Sequence, residues 1–204
     1  KGHSDIGLVR RHGRIHFGLP AKPAALVFNA RKSITAYVYL LHHCPPTVDS
    51  ITGVCHDGHQ FSAARFSPST RSPEVVAVPD NYFILRKGFL TERRLAETQG
   101  VSWHNRRTTL TWRGALNGDG ILPQLPEDAD NPRVVQRARL CLKAQGIPDT
   151  DIKLLTPRSA GIPDVLIGTA RTEAAWLGDR YAIDIDGWTN AWSNLLIRLH
   201  FGCC

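Results

Sequence analysis

Apolar residues in this chain come in short runs, broken by 17 Gly and 13 Pro over 204 residues. Brief continuous apolar runs bounded by turn formers read as buried strands. On that reading Ala25-Leu26-Val27-Phe28 and Tyr37-Val38-Tyr39-Leu40 are strands, and Ile51-Thr52-Gly53-Val54-Cys55 is a third, ending at the His56-Asp57-Gly58 turn. Val75-Val76-Ala77-Val78 is a fourth, stopped by Pro79-Asp80. Residues Leu90 to Gln99 suit a helix, with Gly100 just beyond its end.

The later pattern is more regular. Thr108-Thr109-Leu110-Thr111-Trp112 predicts a strand closed by Arg113-Gly114, followed by a loop rich in Gly, Pro and Asp. Asn131-Pro132 predicts an N-cap with proline at the first helical position. Val134, Val135, Ala138, Cys141 and Leu142 then form one apolar face up to Gly146. Ile152-Lys153-Leu154-Leu155 is a strand, Glu173 to Leu177 a short helix, and Tyr181 to Gly187 a strand meeting a turn. A last helix runs from Trp192 to Leu199, with Leu195, Leu196 and Leu199 on one face. Strands alternating with helices predict an α/β fold.

Charge divides the chain. Residues 1–112 carry +8 and residues 113–204 carry −1, and a boundary near residues 100–107 is expected between an N-terminal half, 1–104, and the beginning of a C-terminal half, 105–204. A basic first half suggests nucleic acid, an anionic membrane surface or an anionic glycan as partner, although the basic residues are scattered and also suit a solvated surface. No apolar stretch approaches the ~20 residues needed to span a bilayer. Five cysteines without a Cys-x-x-Cys pair signal neither a disulfide framework nor a zinc site; they suit a reducing compartment, with Cys203-Cys204 entering a buried strand. The sequence opens at Lys1, contains no Met and stops after a patterned segment, so it reads as a fragment.

Ligands of α/β folds sit where strands leave the sheet, and three such exits carry polar residues. Asp57 at the first can act as a general base or simply hold its turn; His56 and His59 beside it are a weak metal pattern. At the second, Arg113 followed by Gly114 and Ala115 suits an anion, or an arginine paired with a core carboxylate. Arg133, in the first turn of the next helix, is placed against the helix dipole and argues for an anion beside it. At the third, Gly187, Trp188, Thr189, Asn190, Ala191, Trp192 and Ser193 lead from a strand into a helix, a phosphate-cradle arrangement without a Gly-x-Gly-x-x-Gly or P-loop lysine. Asp184 and Asp186 can be metal ligands or structural residues.

The order Leu110-Thr111-Trp112-Arg113-Gly114, then Asn131-Pro132-Arg133, then Tyr181 to Leu195 resembles the signature of glycosyltransferase family 90, especially its bacterial members. Upstream, Val54 to Gly58 and Val78 to Phe83 resemble that family's acceptor-side motifs. The resemblance implies a GT-B fold of two Rossmann-like halves, the donor half truncated here. It implies metal-independent transfer, with inversion, of a sugar from a UDP-sugar to a hydroxyl of a glycan, lipopolysaccharide or protein, in the cytoplasm or peripheral to the inner membrane. Asp57 then resembles the base, Arg113-Gly114-Ala115 the loop under the nucleotide, Arg133 the cation on the diphosphate, and Gly187 to Ser193 the amide cradle. Asp80 and Phe83 fall on the acceptor side. No cofactor and no nucleic acid partner is expected; UDP-sugar is the donor substrate. The competing expectation is a non-catalytic glycan- or nucleotide-binding module of the same fold.

Overall fold

The computed structural model describes residues 5–18, 24–54, 66–70, 73–157, 160–187 and 193–203. It is an α/β chain with two sheets, one in each of two compact units, Lys1–Gly88 and Phe89–Cys204. The units divide earlier than the 104/105 boundary read from the sequence. The segment between belongs to the second unit: Phe89, Leu95 and Ala96 pack in a cluster with Trp176, Ile197 and Phe201.

In the first unit, β1 (Asp5–Arg11) and β2 (Arg14–Gly18) form an antiparallel hairpin. Its two turn residues, His12 and Gly13, have φ of 50° and 73°, the left-handed pair that matches the twist of a two-residue hairpin. β1 also pairs antiparallel with β3 (Ser50–Val54), which continues in parallel to β4 (Phe66–Ser67) and β5 (Val76–Ala77). The two strands expected at 25–28 and 37–40 are instead one helix, α1 (Ala24–His43). No Gly or Pro interrupts those 20 residues, and Ile34, Tyr37, Val38 and Leu41 follow helical rather than alternating spacing. That stripe packs on Ile6, Leu8 and Ile51. Gly53 makes room for it, since a Cβ there would lie 2.3 Å from the Tyr37 ring. Arg10 closes the helix by donating to the carbonyls of Leu41 and Cys44. A short α2 (Asn81–Leu85) follows.

The second unit begins with α3 (Leu90–Gln99) and is built on a three-stranded parallel sheet. β6 (Arg107–Gly114) is central, with β7 (Thr150–Leu154) on one side and β8 (Asp179–Ala182) on the other. Alternation along β6 sends Trp112 toward α4 (Gln136–Lys143), where it joins Ala138, Cys141, Leu142, Ile152 and Leu154. The second cluster lies around α5 (Glu173–Trp176) and α6 (Ser193–His200).

Three local expectations are corrected. α4 starts at Gln136, because residue 134 bridges to Ile121 and Val135 donates to the Ile121 carbonyl; Asn131 is therefore no N-cap, and its Oδ1 accepts from the Arg133 N–H at 3.0 Å in the preceding turn. β8 ends at Ala182 and does not run to Gly187. On α6 the buried residues are Ile197 and Arg198, whereas Leu195, Leu196 and Leu199 are exposed. Cys203 is buried as expected, but in the turn that follows α6 and not in a strand.

Candidate functional site

The strand order β7-β6-β8 reverses at β6, since the chain leaves β6 to one side and returns to its other. At such a reversal the loops leaving two adjacent strands diverge and open a crevice at their carboxyl ends. Here the loop after β6 and the segment after β8 meet there. Gly187 closes on Asn117 so tightly that a Cβ would fall 2.3 Å from its Oδ1. Gly120, at φ 141°, brings the loop against the Arg133 carbonyl, 2.5 Å from where a Cβ would stand. At Gly120 the backbone contact and the positive φ exclude an L side chain, whereas at Gly187 the Asn117 side chain would have to move. The Asn117 Oδ1 is buried and accepts no hydrogen bond among the described residues.

Arg137, from the first turn of α4, ties this crevice together. Its Nε donates to Asp186 O at 3.2 Å, Nη2 to Ile185 O at 3.0 Å and Nη1 to Ala115 O at 3.1 Å. The guanidinium lies 5.6 Å from the Trp112 ring. Burial pushes its pKa down, and the nearby Asp184 and Asp186 oppose that shift. Arg198 does the same from α6, donating to Ile183 O and, at 3.3 Å, to Asp184 Oδ1. Burial raises the pKa of Asp184, while Arg198, the Ile185 amide and Arg137 pull it back.

On the sheet face carrying α5 and α6, a cavity of about 230 Å³ is lined by Arg113, Arg171, Trp176, Asn194 and Arg198, among others. Arg171 and Arg198 both lie over the Trp176 ring, 4.6 and 4.9 Å from its centroid. Arg171 is anchored through Nη2, 2.7 Å from Asp179 Oδ2 and 2.9 Å from Ala175 O. Asp179 is fully buried and also takes Arg107 at 2.6 Å. The Nε and Nη1 of Arg171 and the Nε and Nη2 of Arg198 make no hydrogen bond among the described residues. Ligand pockets usually run to ~300–1,000 Å³. The cavity is smaller, and suits a phosphate-sized anion better than a whole nucleotide.

Arg113 is engaged throughout. Its Nη2 donates to both Asp151 carboxylate oxygens at 2.8 Å, Nη1 to Trp112 O and Asp151 O, and Nε to Thr169 O. A guanidinium has five N–H groups, so Arg113 is paired with a carboxylate as in the second alternative, but Asp151 is 39% exposed and not a core residue. Gly114 serves packing, since a Cβ would lie 2.3 Å from the Trp112 ring. Ala115 contributes the carbonyl that Arg137 holds. Arg133 is exposed and lies before the helix, which corrects its expected place in the first turn; Arg137 occupies that turn. Ser193 opens α6. Asp80 caps α2, its Oδ1 accepting from the Phe83 N–H at 2.8 Å, with the Phe83 ring partly exposed. Asp57 and Trp188, Thr189, Asn190, Ala191 and Trp192 lie outside the described residues. Among the described residues no group of three or more His, Cys, Asp or Glu gathers as a metal site, and no helix is long and apolar enough to cross a membrane.

Arg137, Arg171 and Arg198 were not picked out from the sequence. The available signal was Arg198, which sits among Ile197 and Phe201 at core spacing. An arginine there is either a misplaced polar group or a ligand to something buried.

The fold and the site define the class as a two-sheet α/β protein with an arginine-lined crevice at a parallel-sheet edge. No family model, curated protein or solved structure matches the chain.

Proposed function

We propose that the second unit binds the diphosphate of a UDP-sugar at the carboxyl ends of β6 and β7, as the Rossmann-like donor half of a GT-B-type inverting glycosyltransferase acting in the cytoplasm or at the face of the inner membrane. The carrying observation is the cavity beside the start of α6, where Arg171 and Arg198 present four nitrogens without hydrogen bonds among the described residues. Charge developing on a leaving diphosphate is stabilised by such preorganised donors. The motif order supplies the sugar-transfer part of the reading, with Asp57 as the base that deprotonates the acceptor hydroxyl.

Titration calorimetry with UDP, uridine and inorganic pyrophosphate tests the site. UDP and pyrophosphate should bind and uridine should not; uridine binding as tightly as UDP removes the diphosphate from recognition. Asp57→Asn should then leave UDP affinity unchanged and lower UDP release from a donor–acceptor pair ~10²–10⁴-fold. Turnover should survive chelator, because arginines and amides carry the charge; rescue of a chelated enzyme by Mn²⁺ would assign Asp184 and Asp186 to a metal instead. Arg113 favours a second reading, a binding module without turnover. All its donors are held by protein, which leaves one cation fewer for a leaving group. UDP binding without UDP release from any sugar donor would select that reading.

A further inference from the structure

The first unit has a sheet face that nothing among the described residues covers, and it carries an unbalanced charge pair. Helix α1 packs on the side of Ile6, Leu8 and Ile51. By alternation Gly7, Val9 and Arg11 of β1 point the other way. The register places Gly18, His16 and Arg14 of β2 opposite them, and Thr52 of β3 beside Gly7. A Cβ on Gly7 or on Gly18 would meet nothing within 4 Å. The face is thus bare backbone at the Gly7/Gly18 pair, followed by the half-buried Val9 with exposed His16, and then by exposed Arg11 and Arg14 at its end.

Arg11 and Arg14 are direct cross-strand partners. Like charges directly opposite one another destabilise a strand pair. Neither arginine's side chain has a hydrogen-bond or ion-pair partner among the described residues. Protection of the edge strand explains a charge on β2, but not a second cation facing it from β1. The surroundings add to the imbalance, because residues 1–88 hold 11 Lys and Arg against 5 Asp and Glu.

We propose that this hairpin face binds a sulfated or phosphorylated polysaccharide, with Arg11 and Arg14 forked onto one oxyanion and the sugar chain lying along the Gly7–Gly18 strip. The inference does not depend on the diphosphate site of the second unit. Among the described residues the only ring on the face is the imidazole of His16, with no Phe, Tyr or Trp to build the stacking platform that single-stranded nucleic acid uses. It carries no large apolar side chain for a bilayer either: the exposed Phe17 lies on the α1 side, opposite Leu8.

Four probes test it on the whole chain: dextran sulfate, uncharged dextran, oligothymidine, and phosphatidylserine-containing vesicles. Dextran sulfate should bind most tightly, uncharged dextran not at all. Arg11→Gln with Arg14→Gln should weaken dextran sulfate binding at least ~10-fold, whereas Arg93→Gln with Arg94→Gln, an equal charge change on exposed α3, should change it less than ~2-fold. Removing the like-charge pair should also leave the melting temperature unchanged or raise it. Equal weakening by both double variants would reduce the effect to net charge and overturn the proposal. So would tighter binding of oligothymidine or vesicles, or a lowered melting temperature in the hairpin variant.

Discussion

Asp179 shows how one buried carboxylate organises the second unit. It has no exposed surface and receives Arg107 through Nε and Nη2, Arg171 at 2.7 Å and the Thr111 hydroxyl at 3.3 Å. Arg107 is largely exposed, so its share is screened. Arg171 is only 11% exposed, and removing its counter-charge strands a cation in a poorly solvated place. Breaking such a pair costs about 3–5 kcal/mol, against a total of ~5–15 kcal/mol for an ordinary domain. Asp179→Asn should therefore lower unfolding stability by a large fraction, measured by urea denaturation. A loss below ~1 kcal/mol would show that Arg171 is satisfied without it. Cys141 tests the neighbouring core. Burial pushes its thiol up to about 12, so at pH 8 it should resist a thiol reagent that labels half-buried Cys44. The linkage sign follows from that shift. Above the ordinary thiol range the unfolded chain loses this proton while the folded chain keeps it, so stability falls as pH rises from ~8.5 toward 12. Cys141→Ala should flatten that alkaline decline. Equal labelling of Cys141 and Cys44 in the native protein would show that position 141 is open.

At the scale of elements, β6, β7 and helix α3 could be read along the chain as short local patterns, whereas β8 starts before the Tyr181–Gly187 pattern and stops at Ala182, short of its glycine. α1 could not be read from run length alone. Its apolar residues are dense enough to look like two strands, and only the Ile34, Tyr37, Val38, Leu41 spacing separates the cases. The start of α4 departs from its local signal for a different reason: Asn131-Pro132 is a sound start signal, but the non-local bridge between Ile121 and Val134 keeps Val134 out of the helix. Candidate-site residues follow the same division. Strand exits are local features, so the crevice could be located; Arg137 and Arg171 become visible only when non-neighbouring carbonyls and Asp179 converge on them. Packing of α1 on its sheet gives the element-scale prediction. Gly53→Ala places a methyl 2.3–2.6 Å from the Tyr37 ring, and overpacking of this kind costs about 1–3 kcal/mol. Tyr37→Leu should absorb part of it. Destabilisation of the double variant equal to the sum of the singles would mean that the ring and Gly53 do not meet.

For the whole molecule, the sharpest test concerns where the second unit begins. The sequence pattern suggests a start at residue 105, and compactness places it at Phe89. The two differ by α3 and by Phe89, which is fully buried beside Trp176, Leu177, Ile197 and Phe201. Phe89 enters that cluster from a left-handed backbone, φ 58°, directly after Gly88 at 65°, so the chain turns sharply at the point where the unit starts. A non-glycine residue held there costs roughly 1–2 kcal/mol, which the burial of the ring can offset at ~1.5–3 kcal/mol. Deleting residues 89–104 removes the ring and also Trp103, whose carbonyl accepts from Arg180 Nε at 2.8 Å and whose ring meets Tyr181 of β8 at 5.9 Å. Loss of a buried phenylalanine alone costs ~3–5 kcal/mol. Residues 89–204 expressed alone should therefore melt cooperatively, with Trp112 and Trp176 fluorescence as probes, and should bind UDP as the whole chain does. Residues 105–204 should give neither a cooperative melt nor UDP binding. If both pieces melt alike, Phe89 and α3 are appendages to the unit, and its core is the sheet and the helices that follow.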